Sequence, residues 1–568
     1  MDELVHHNTV NSRMWIDGGR PPLRWPGWTR GRSGRGGDDR GRPGVRTRRG
    51  SAVHGLDWTV MCAYFGLMVL IGWWSHQRVG DVKDFFTAGG RMPWWLTGIS
   101  HHMSGYSAVL FVAYAAVAYT SGITVYFWGF ASIGIGVGIG TWLFAPRWNR
   151  LRSRLGVASP LEYLAKRYSV TTQQALAWSG SLLKIFDIAA KWFAVATLLH
   201  VFAGVDYNLG ILITGVVTLF YCTVGGLWAD ALTELGQFVI QAVAALVMIV
   251  VVLGKLGGIE GLWTLWGELP ASHHNPTTPK YTTVFLLVYV LVKTLEYNGG
   301  MWNLAQRYMA APDTHAARRG AALSSLLYLL WPLVLMFPMF AAPLLIPGID
   351  KPENAYAIMT TEFLPPGLIG LVLAGIFSHT MAMVSSDANA ISAVITRDMI
   401  PVMSRRARTW TDRQGLTAAR LTTVVFVLLT MGVATQAENL GGVLQIVVNW
   451  VAALMGPISI PLLLGMLPAF RRCGARAALT SWAGGLLAYA LVYYVLDTGQ
   501  TALIATPVLV SLTLYTGLGL LAPERSATTD ALVEAIGGED ERAPYGTSSP
   551  AGTDEEPRGK DDGSTALV

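Results

Sequence analysis

Thirteen long apolar segments constrain the fold of this sequence more than any other feature. A helix of about 20 residues crosses the roughly 30 Å hydrocarbon layer of a bilayer. Of the 568 residues, 52% are hydrophobic and only 14% are charged, whereas soluble domains have about 25% charged residues. The sequence therefore predicts an all-α, multi-pass membrane protein and argues against a soluble enzyme. We place the predicted spans at 58–75, 94–120, 122–146, 174–203, 208–225, 229–254, 281–300, 320–347, 366–396, 420–436, 441–468, 475–496 and 503–521.

The lysine and arginine residues between these spans predict the orientation of the chain. Cytoplasmic loops of membrane proteins carry an excess of these residues. The first span is then expected to start outside, with the C-terminus in the cytoplasm and the protein in the plasma membrane. The basic loops are 76–93, 147–173, 301–319, 397–419 and 469–474, and a short turn at 226–228 is predicted on the same side.

Two polar tails flank the apolar region 57–521. Residues 1–56 are rich in Gly, Arg and Pro and lack hydrophobic periodicity, so they predict a disordered extension. This basic extension would lie outside, and one explanation is that translation begins later, which makes part of it a start-site artefact. Residues 522–568 are acidic and predict a disordered cytoplasmic tail. A basic tail without an ordered platform does not indicate a nucleic-acid partner.

Four segments carry specific motifs. They are DFFTAGGRMPWWLTGISHHMSGYSAVLF at 84–111, YCTVGGLWADALTELGQ at 221–237, QRYMAAPD at 306–313 and LPPGLIGLVLAGIFSHTMAMVSSDANAISAVITRD at 364–398. In order and spacing they resemble the sodium:solute symporter family, which includes sodium/glucose, sodium/proline and sodium/pantothenate carriers. The resemblance extends from about residue 57 to 520.

The resemblance implies a LeuT-type fold with two inverted five-helix repeats, formed by spans two to six and seven to eleven. The first helix of each repeat is then interrupted near the membrane centre, where freed backbone groups bind solute and ion. The implied function is cation-coupled symport of a small organic solute by alternating access, with 57–521 as the transporter domain. Its partners are a small-molecule solute and membrane lipid; the oligomeric state stays open between monomer and homo-oligomer.

Other functional classes have little support in the sequence. It has no G-x-x-x-x-G-K-[ST] segment for ATP-driven transport and no hydrolase motif in a usable context. The three cysteines are far apart and give no metal-binding pattern. We therefore predict no enzyme activity, no cofactor and no metal beyond a coupling ion, Na⁺ or H⁺.

The family's ion site is altered in this sequence. In the resemblance, sodium is held by backbone carbonyls of the broken helix and by two adjacent hydroxyl side chains of the ninth span. An ungapped match places Ala382 and Met383 at the two hydroxyl positions. Met103 and Tyr106 fall at carbonyl-donating positions of the broken helix, and His379 falls at another on the ninth span.

Hydroxyl groups return one helical turn later, at Ser385 and Ser386. Some family members use these next-turn serines for a second sodium ion, together with an aspartate. Asp187 is a candidate for that aspartate. It also lies three residues after Lys184 and four before Lys191, so an intrahelical charge cluster is an equal alternative.

Three mechanisms of coupling remain open. Sodium binds through carbonyls and the two serines, or His379 carries a proton, with His101 or His102 assisting. A histidine titrates near pH 6.5 and suits that role. His and Met side chains are also ligands for a soft metal such as copper. The competing class is a membrane sensor or scaffold that no longer transports.

Polar residues inside predicted spans mark the solute pathway, because such groups are tolerated there only against a cavity or a partner. We expect spans two, three, seven and eleven to line it. Two further acids, Asp230 and Glu234, are expected to have a structural role. The predicted solute-binding residues are His101, His102, Ser104, Gly105, Glu296, Asn298 and Asn303.

Overall fold

The computed structural model describes residues 53–76, 82–496 and 498–538. These residues form helices and loops, with no strand among them, which confirms the all-α prediction. Ten helices of this part are long and apolar enough to cross a membrane, or eleven if one bent pair is counted as a span. Most of the predicted extension 1–56 and residues 539–568 of the predicted tail lie outside the described residues.

The helices are numbered in chain order. The first ten are α1 (Gly55–His76), α2 (Val82–Thr87), α3 (Trp94–Met103), α4 (Leu110–Ser121), α5 (Tyr126–Leu143), α6 (Ala145–Leu155), α7 (Glu162–Arg167), α8 (Val170–Ala203), α9 (Tyr207–Lys255) and α10 (Gly261–Glu268). The others are α11 (Thr283–Gly300), α12 (Trp302–Ala310), α13 (Thr314–Leu345), α14 (Ala355–Phe363), α15 (Leu368–Met403), α16 (Asp412–Ala434), α17 (Gly442–Leu464), α18 (Ala475–Leu496), α19 (Gln500–Leu521) and α20 (Ala527–Gly537). Short 3₁₀ helices cover Ala88–Gly90, Ala271–His274, Pro352–Asn354, Arg405–Thr409 and Pro468–Phe470.

Two of the predicted spans are interrupted. The second, 94–120, is divided into α3 and α4 by non-helical residues around 104–109. The seventh continues beyond its predicted end, because α11 and α12 form a pair bent by 56°. At this bend Gly299 has φ 130°, which residues other than glycine rarely adopt. The prediction that 301–319 is only a loop is therefore wrong, since α12 is a buried half-helix within it.

The fifth and sixth predicted spans form the single 49-residue helix α9, kinked at Gly226. The predicted turn at 226–228 is therefore replaced by a kink. The apolar part of the fifth span, Tyr207–Phe220, is a short helix, as is α4. Thirteen predicted spans thus correspond to ten or eleven full-length apolar helices because two of the predicted spans contain only shorter ones.

Gly226 is expected to be irreplaceable at the kink. Its φ of 56° and ψ of −157° lie in a region that is essentially restricted to glycine, and an added Cβ would lie 2.8 Å from the Phe85 carbonyl oxygen. Gly226→Ala should lower the free energy of unfolding by about 1–3 kcal/mol. Gly254→Ala is the matched control, because Gly254 is on the same helix with no atom within 4 Å of its Cβ position. Unfolding in mixed detergent–SDS micelles measures both, and equal stability of the two variants would contradict the expectation.

The centre of the bundle is formed by α15, α17 and α8. Their most apolar windows are 89%, 89% and 72% buried, whereas those of α1 and α18 are 28% and 22% buried. Helix α15 packs against α9 and α1, and α3 packs against α13. The apolar side chains left exposed on the outer helices are suited to contact with lipid.

The tail is more ordered at its start than the sequence predicts. Residues 527–537 form α20, which buries Leu532, Val533 and Ile536. Arg150 and Arg154 of α6 donate hydrogen bonds to carbonyl oxygens at its C-terminal end, with N–O distances of 3.0 and 2.7 Å. The prediction of disorder from residue 522 is therefore wrong for this stretch, because a short apolar face and these arginines hold it against the bundle.

Candidate functional site

Five polar side chains form a buried cluster where α9, α12 and α15 meet beside α3. We call it the acid–arginine cluster, and its members are Asp230, Glu234, Arg307, Ser385 and Ser386. All five side chains are at most 4% exposed. The acids and serines come from the largely apolar helices α9 and α15, and Arg307 comes from the buried half-helix α12, so the fold holds these groups together away from water.

Arg307 is the cation of this cluster. It donates hydrogen bonds to Asp230 and to Glu234, the latter with an N–O distance of 3.1 Å. The Ser386 hydroxyl lies 2.9 Å from a carboxylate oxygen of each acid and also contacts Arg307. Ser385 donates to Asp230. The two serines therefore contact acids from α9.

The broken helix contributes two more hydroxyls to the same cluster. Ser100 and Ser104 both donate hydrogen bonds to Glu234. The Ser104 hydroxyl oxygen also lies 3.0 Å from that of Ser386. Since Ser104 stands at the point where α3 ends, the cluster is directly connected to the break.

The charges within the cluster do not balance. Two carboxyl groups face one guanidinium, so when both are ionised the cluster has one excess negative charge, surrounded by hydroxyl oxygens. An uncompensated buried charge is costly. A bound monovalent cation would neutralise it, and oxygen-rich surroundings suit a hard cation such as Na⁺.

A second charged group lies between α8 and α15. We call it the lysine–aspartate quartet, and its members are Lys184, Asp187, Lys191 and Asp387. Lys184 lies 3.0 Å from Asp187 and 2.8 Å from Asp387, and Lys191 lies 2.8 and 2.7 Å from the same two acids. These two pairs of opposite charges are balanced and fully enclosed.

Two cavities follow the same set of helices. The smaller, of about 60 Å³, lies at the break between α3 and α4. The larger, of about 660 Å³, lies further along α4, α8 and α17, towards the loops that are predicted to be outside. The small cavity touches predicted spans two, three, seven and eleven, and also four and nine. Its lining is Gly105, Tyr106, Ser107, Val109, Leu110, Tyr114, Ile133, Asp187, Lys191, Lys293, Glu296, Tyr297, Met383, Val447 and Trp450.

The structure separates the predicted ion-site residues into different surroundings. Met103 is buried at the end of α3, and Met383 lines the small cavity. The Ala382 carbonyl oxygen accepts hydrogen bonds from Ser385 and Ser386 and so belongs beside the acid–arginine cluster.

Tyr106 and His379 lie in an aromatic environment. Their ring centroids are 5.8 Å apart, and His379 also contacts Phe111. Neither the Tyr106 hydroxyl nor either His379 ring nitrogen has a hydrogen-bond partner among the described residues. This part of the predicted ion site therefore contains no carboxylate contact to His379.

Asp187 is not brought to the two serines. Its carboxylate pairs with the lysines of the quartet, while Asp230 and Glu234 contact the serines. Of the two alternatives for Asp187, the contacts therefore fit the charge cluster rather than the partnership with Ser385 and Ser386. The sequence did not identify this pairing because it does not show which face of α15 meets α8.

The predicted solute residues on the broken helix differ in their contacts. His101 is held by Ser324 (2.7 Å) and the Tyr297 carbonyl oxygen (3.1 Å). The His102 ring nitrogens have no hydrogen-bond partner among the described residues. Ser104 joins the acid–arginine cluster, and Gly105 lines the small cavity.

Of the predicted solute residues Glu296, Asn298 and Asn303, only Glu296 lines the small cavity. Asn298 instead donates to the Gly136 and Thr294 carbonyl oxygens, each at 2.8 Å. Asn303 donates to the Ser104 carbonyl oxygen at 3.2 Å and so supports the end of α3.

Arg307 and Lys293 are important site residues that the sequence reasoning passed over. Arg307 falls in the predicted loop 301–319, and Lys293 lies within the predicted seventh span, three residues before Glu296. The available signal was the number of charges within or beside apolar spans, because each such charge requires a partner or a cavity. A search for a partner of every such charge would have indicated both the acid–arginine cluster and the lysine–aspartate quartet.

Comparisons with known proteins agree with the fold and the motifs. The sodium/sialic acid symporter of Aliivibrio fischeri is 25% identical over 439 residues, which cover 75% of this chain and 85% of that protein. The human sodium/iodide cotransporter is 26% identical over 438 residues, covering 73% of this chain and 67% of the relative.

A solved structure has a similar arrangement of helices. A Na⁺-coupled sialic acid symporter, substrate-bound and outward-open, matches with a TM-score of 0.74 at 20% identity, covering 84% of this chain and 99% of that one. This likeness confirms the predicted LeuT-type fold. The model of the sodium:solute symporter family matches residues 85–485. The chain therefore belongs to the sodium:solute symporter family.

Proposed function

We propose that this protein uses a sodium gradient to move a small organic solute across the plasma membrane, with Na⁺ bound at the acid–arginine cluster. The observation that carries the proposal is that two buried carboxyl groups, Asp230 and Glu234, share the single cation Arg307 and are enclosed by serine hydroxyls. Sodium supplies the missing positive charge.

The position of the cluster links the ion to the solute pathway. Ser104 touches Glu234 and stands next to Gly105 of the small cavity. Ion binding therefore fixes the end of α3 at the wall of that cavity. A cation that binds one conformation more tightly shifts the equilibrium towards it, which is the basis of alternating access. The larger cavity supports access from the predicted outer side, with the start of α1 outside and the tail in the cytoplasm.

Removing ligands from the cluster should weaken sodium binding. Glu234→Gln removes the excess charge, and Ser386→Ala removes a hydroxyl that contacts both acids. We expect each to raise the Na⁺ concentration for half-maximal thermal stabilisation by about tenfold or more, the size of a lost charge-assisted interaction. Ser392→Ala is the matched control on the same helix, since the Ser392 hydroxyl donates to the Ala419 carbonyl oxygen and not to a member of the cluster.

The measurement is the melting temperature of the purified protein titrated with NaCl against choline chloride, together with ²²Na⁺ binding. Unchanged sodium dependence in both variants would place the ion elsewhere. In proteoliposomes, uptake driven by a proton gradient without Na⁺, and lost in His379→Ala, would instead favour the proton mechanism. Failure to accumulate any solute under either gradient would favour the sensor or scaffold.

A further inference from the structure

The small cavity is lined by charges of both signs from two helices. Lys293 and Glu296 reach it from α11, with an N–O distance of 2.7 Å. Asp187 and Lys191 reach it from α8. These four side chains are at most 4% exposed, so their charges act in surroundings of low polarity.

The charges around this cavity sum to zero. The α11 pair contributes one of each sign, and the lysine–aspartate quartet contributes two of each. A solute with a net charge would therefore bring an uncompensated charge into an enclosed site, which is strongly unfavourable. A solute with one positive and one negative group adds no net charge and meets a partner for each.

The α11 pair is better placed for exchange than the quartet. In the described part of the chain, Lys293 forms one ion pair, to Glu296, whereas Lys191 is held by two carboxylates. The Lys293 ammonium also lies 5.0 and 5.3 Å from the ring centroids of Tyr289 and Tyr297. Its surroundings therefore keep a cation stable while one contact is exchanged.

Aromatic rings supply the remaining walls. Tyr106, Tyr114, Tyr297 and Trp450 all line the cavity. Ring faces attract an ammonium group and pack against an aliphatic body. The volume of about 60 Å³ is smaller than such a solute, so the cavity must widen when the solute replaces the ion pair within α11.

We propose that the solute is a small zwitterion of the amino-acid or betaine class, whose carboxylate binds Lys293 and whose ammonium group binds Glu296. This assignment rests on the proposed symport function and specifies its substrate. The two ends of the solute replace the ion pair within α11, and the quartet keeps the rest of the wall neutral.

Transport into proteoliposomes under an imposed Na⁺ gradient tests the assignment. The probes are radiolabelled alanine, proline and glycine betaine, against propionate, glucose and sialic acid. We expect at least one zwitterion to be accumulated, with propionate taken up about tenfold less well or worse. Accumulation of only propionate, glucose or sialic acid, or of no zwitterion, overturns the assignment.

Substitutions of Lys293 and Glu296 provide a second test of the assignment. Lys293→Met and Glu296→Gln should each raise the half-saturating zwitterion concentration by about tenfold or more, and Lys293→Arg should restore most of the affinity. Glu362→Gln is the control, because Glu362 is exposed at the end of α14. Unchanged affinity in both site variants overturns the assignment.

Sodium binding distinguishes this failure from failure of symport. If Na⁺ stabilises the wild type and the α11 variants but no zwitterion is transported, the zwitterion assignment fails and the sodium site stands. If Na⁺ has no effect on the wild type and drives no uptake, the proposed function fails. The same melting curves show whether each variant is folded.

Discussion

Replacing Arg307 by methionine is expected to lower the free energy of unfolding by about 3–5 kcal/mol. The side chain is fully buried and is the cation that directly contacts Asp230, Glu234 and Ser386. Without it the carboxyl groups of Asp230 and Glu234 share an enclosed space in the middle of the bundle with no cation beside them among the described residues. SDS titration in mixed micelles measures the loss, and Na⁺-driven uptake should fall with it.

A double-mutant cycle separates the loss of the ion pair from a general packing defect. Asp230→Asn added to Arg307→Met removes one of the unpaired charges and should recover at least about 1 kcal/mol of coupling energy. Arg319→Met is the matched control, because Arg319 is exposed at the start of α13. Additive effects of the two cluster substitutions would contradict direct coupling.

The second large effect is expected at the lysine–aspartate quartet. Asp387→Asn leaves Lys184 and Lys191 to share the single carboxylate of Asp187, with one positive charge in excess. The expected loss is about 3–5 kcal/mol, because a partner is removed from a buried ion pair. Unfolding in the same micelles provides the measurement.

A double-mutant cycle for the lysine–aspartate quartet combines Asp387→Asn with Lys184→Met. The combination leaves one lysine and one aspartate, so the charges balance again. The double variant should be more stable than Asp387→Asn alone. Asp412→Asn serves as the control, since Asp412 is exposed in the first turn of α16. If the double variant is less stable than both single variants, charge balance is not what holds α8 to α15.

Hydropathy predicted most membrane helices because the bilayer requires long apolar segments regardless of their partners. The break in the second span was also predicted, since Ser100, Ser104 and Gly105 are unusual inside such a segment. The half-helix α12 was missed because its sequence is polar on average. Arg307 of this helix can be buried because it pairs with Asp230 and Glu234. An average of hydropathy along the sequence does not detect such a pairing.

The pairing of buried charges was the least predictable part of the site. Glu234 and Ser386 are separated by 152 residues, and their contact depends on how α9 lies against α15. The sequence shows that both are polar groups within apolar helices, but not which faces meet. The sequence leaves the partners of Asp187 open for the same reason, since Ser385, Ser386 and Asp387 follow one another on α15 and face different directions.

The attachment of α20 to α6 has a practical consequence for observing the transport cycle. Arg150 and Arg154 hold the last carbonyl groups of α20, and α6 directly follows α5 of the first repeat. Rotation of that repeat would carry the attached terminal segment with it. A fluorophore at Glu534, paired with a second dye at Arg413 on the other repeat, would therefore report each turnover as a change in energy transfer.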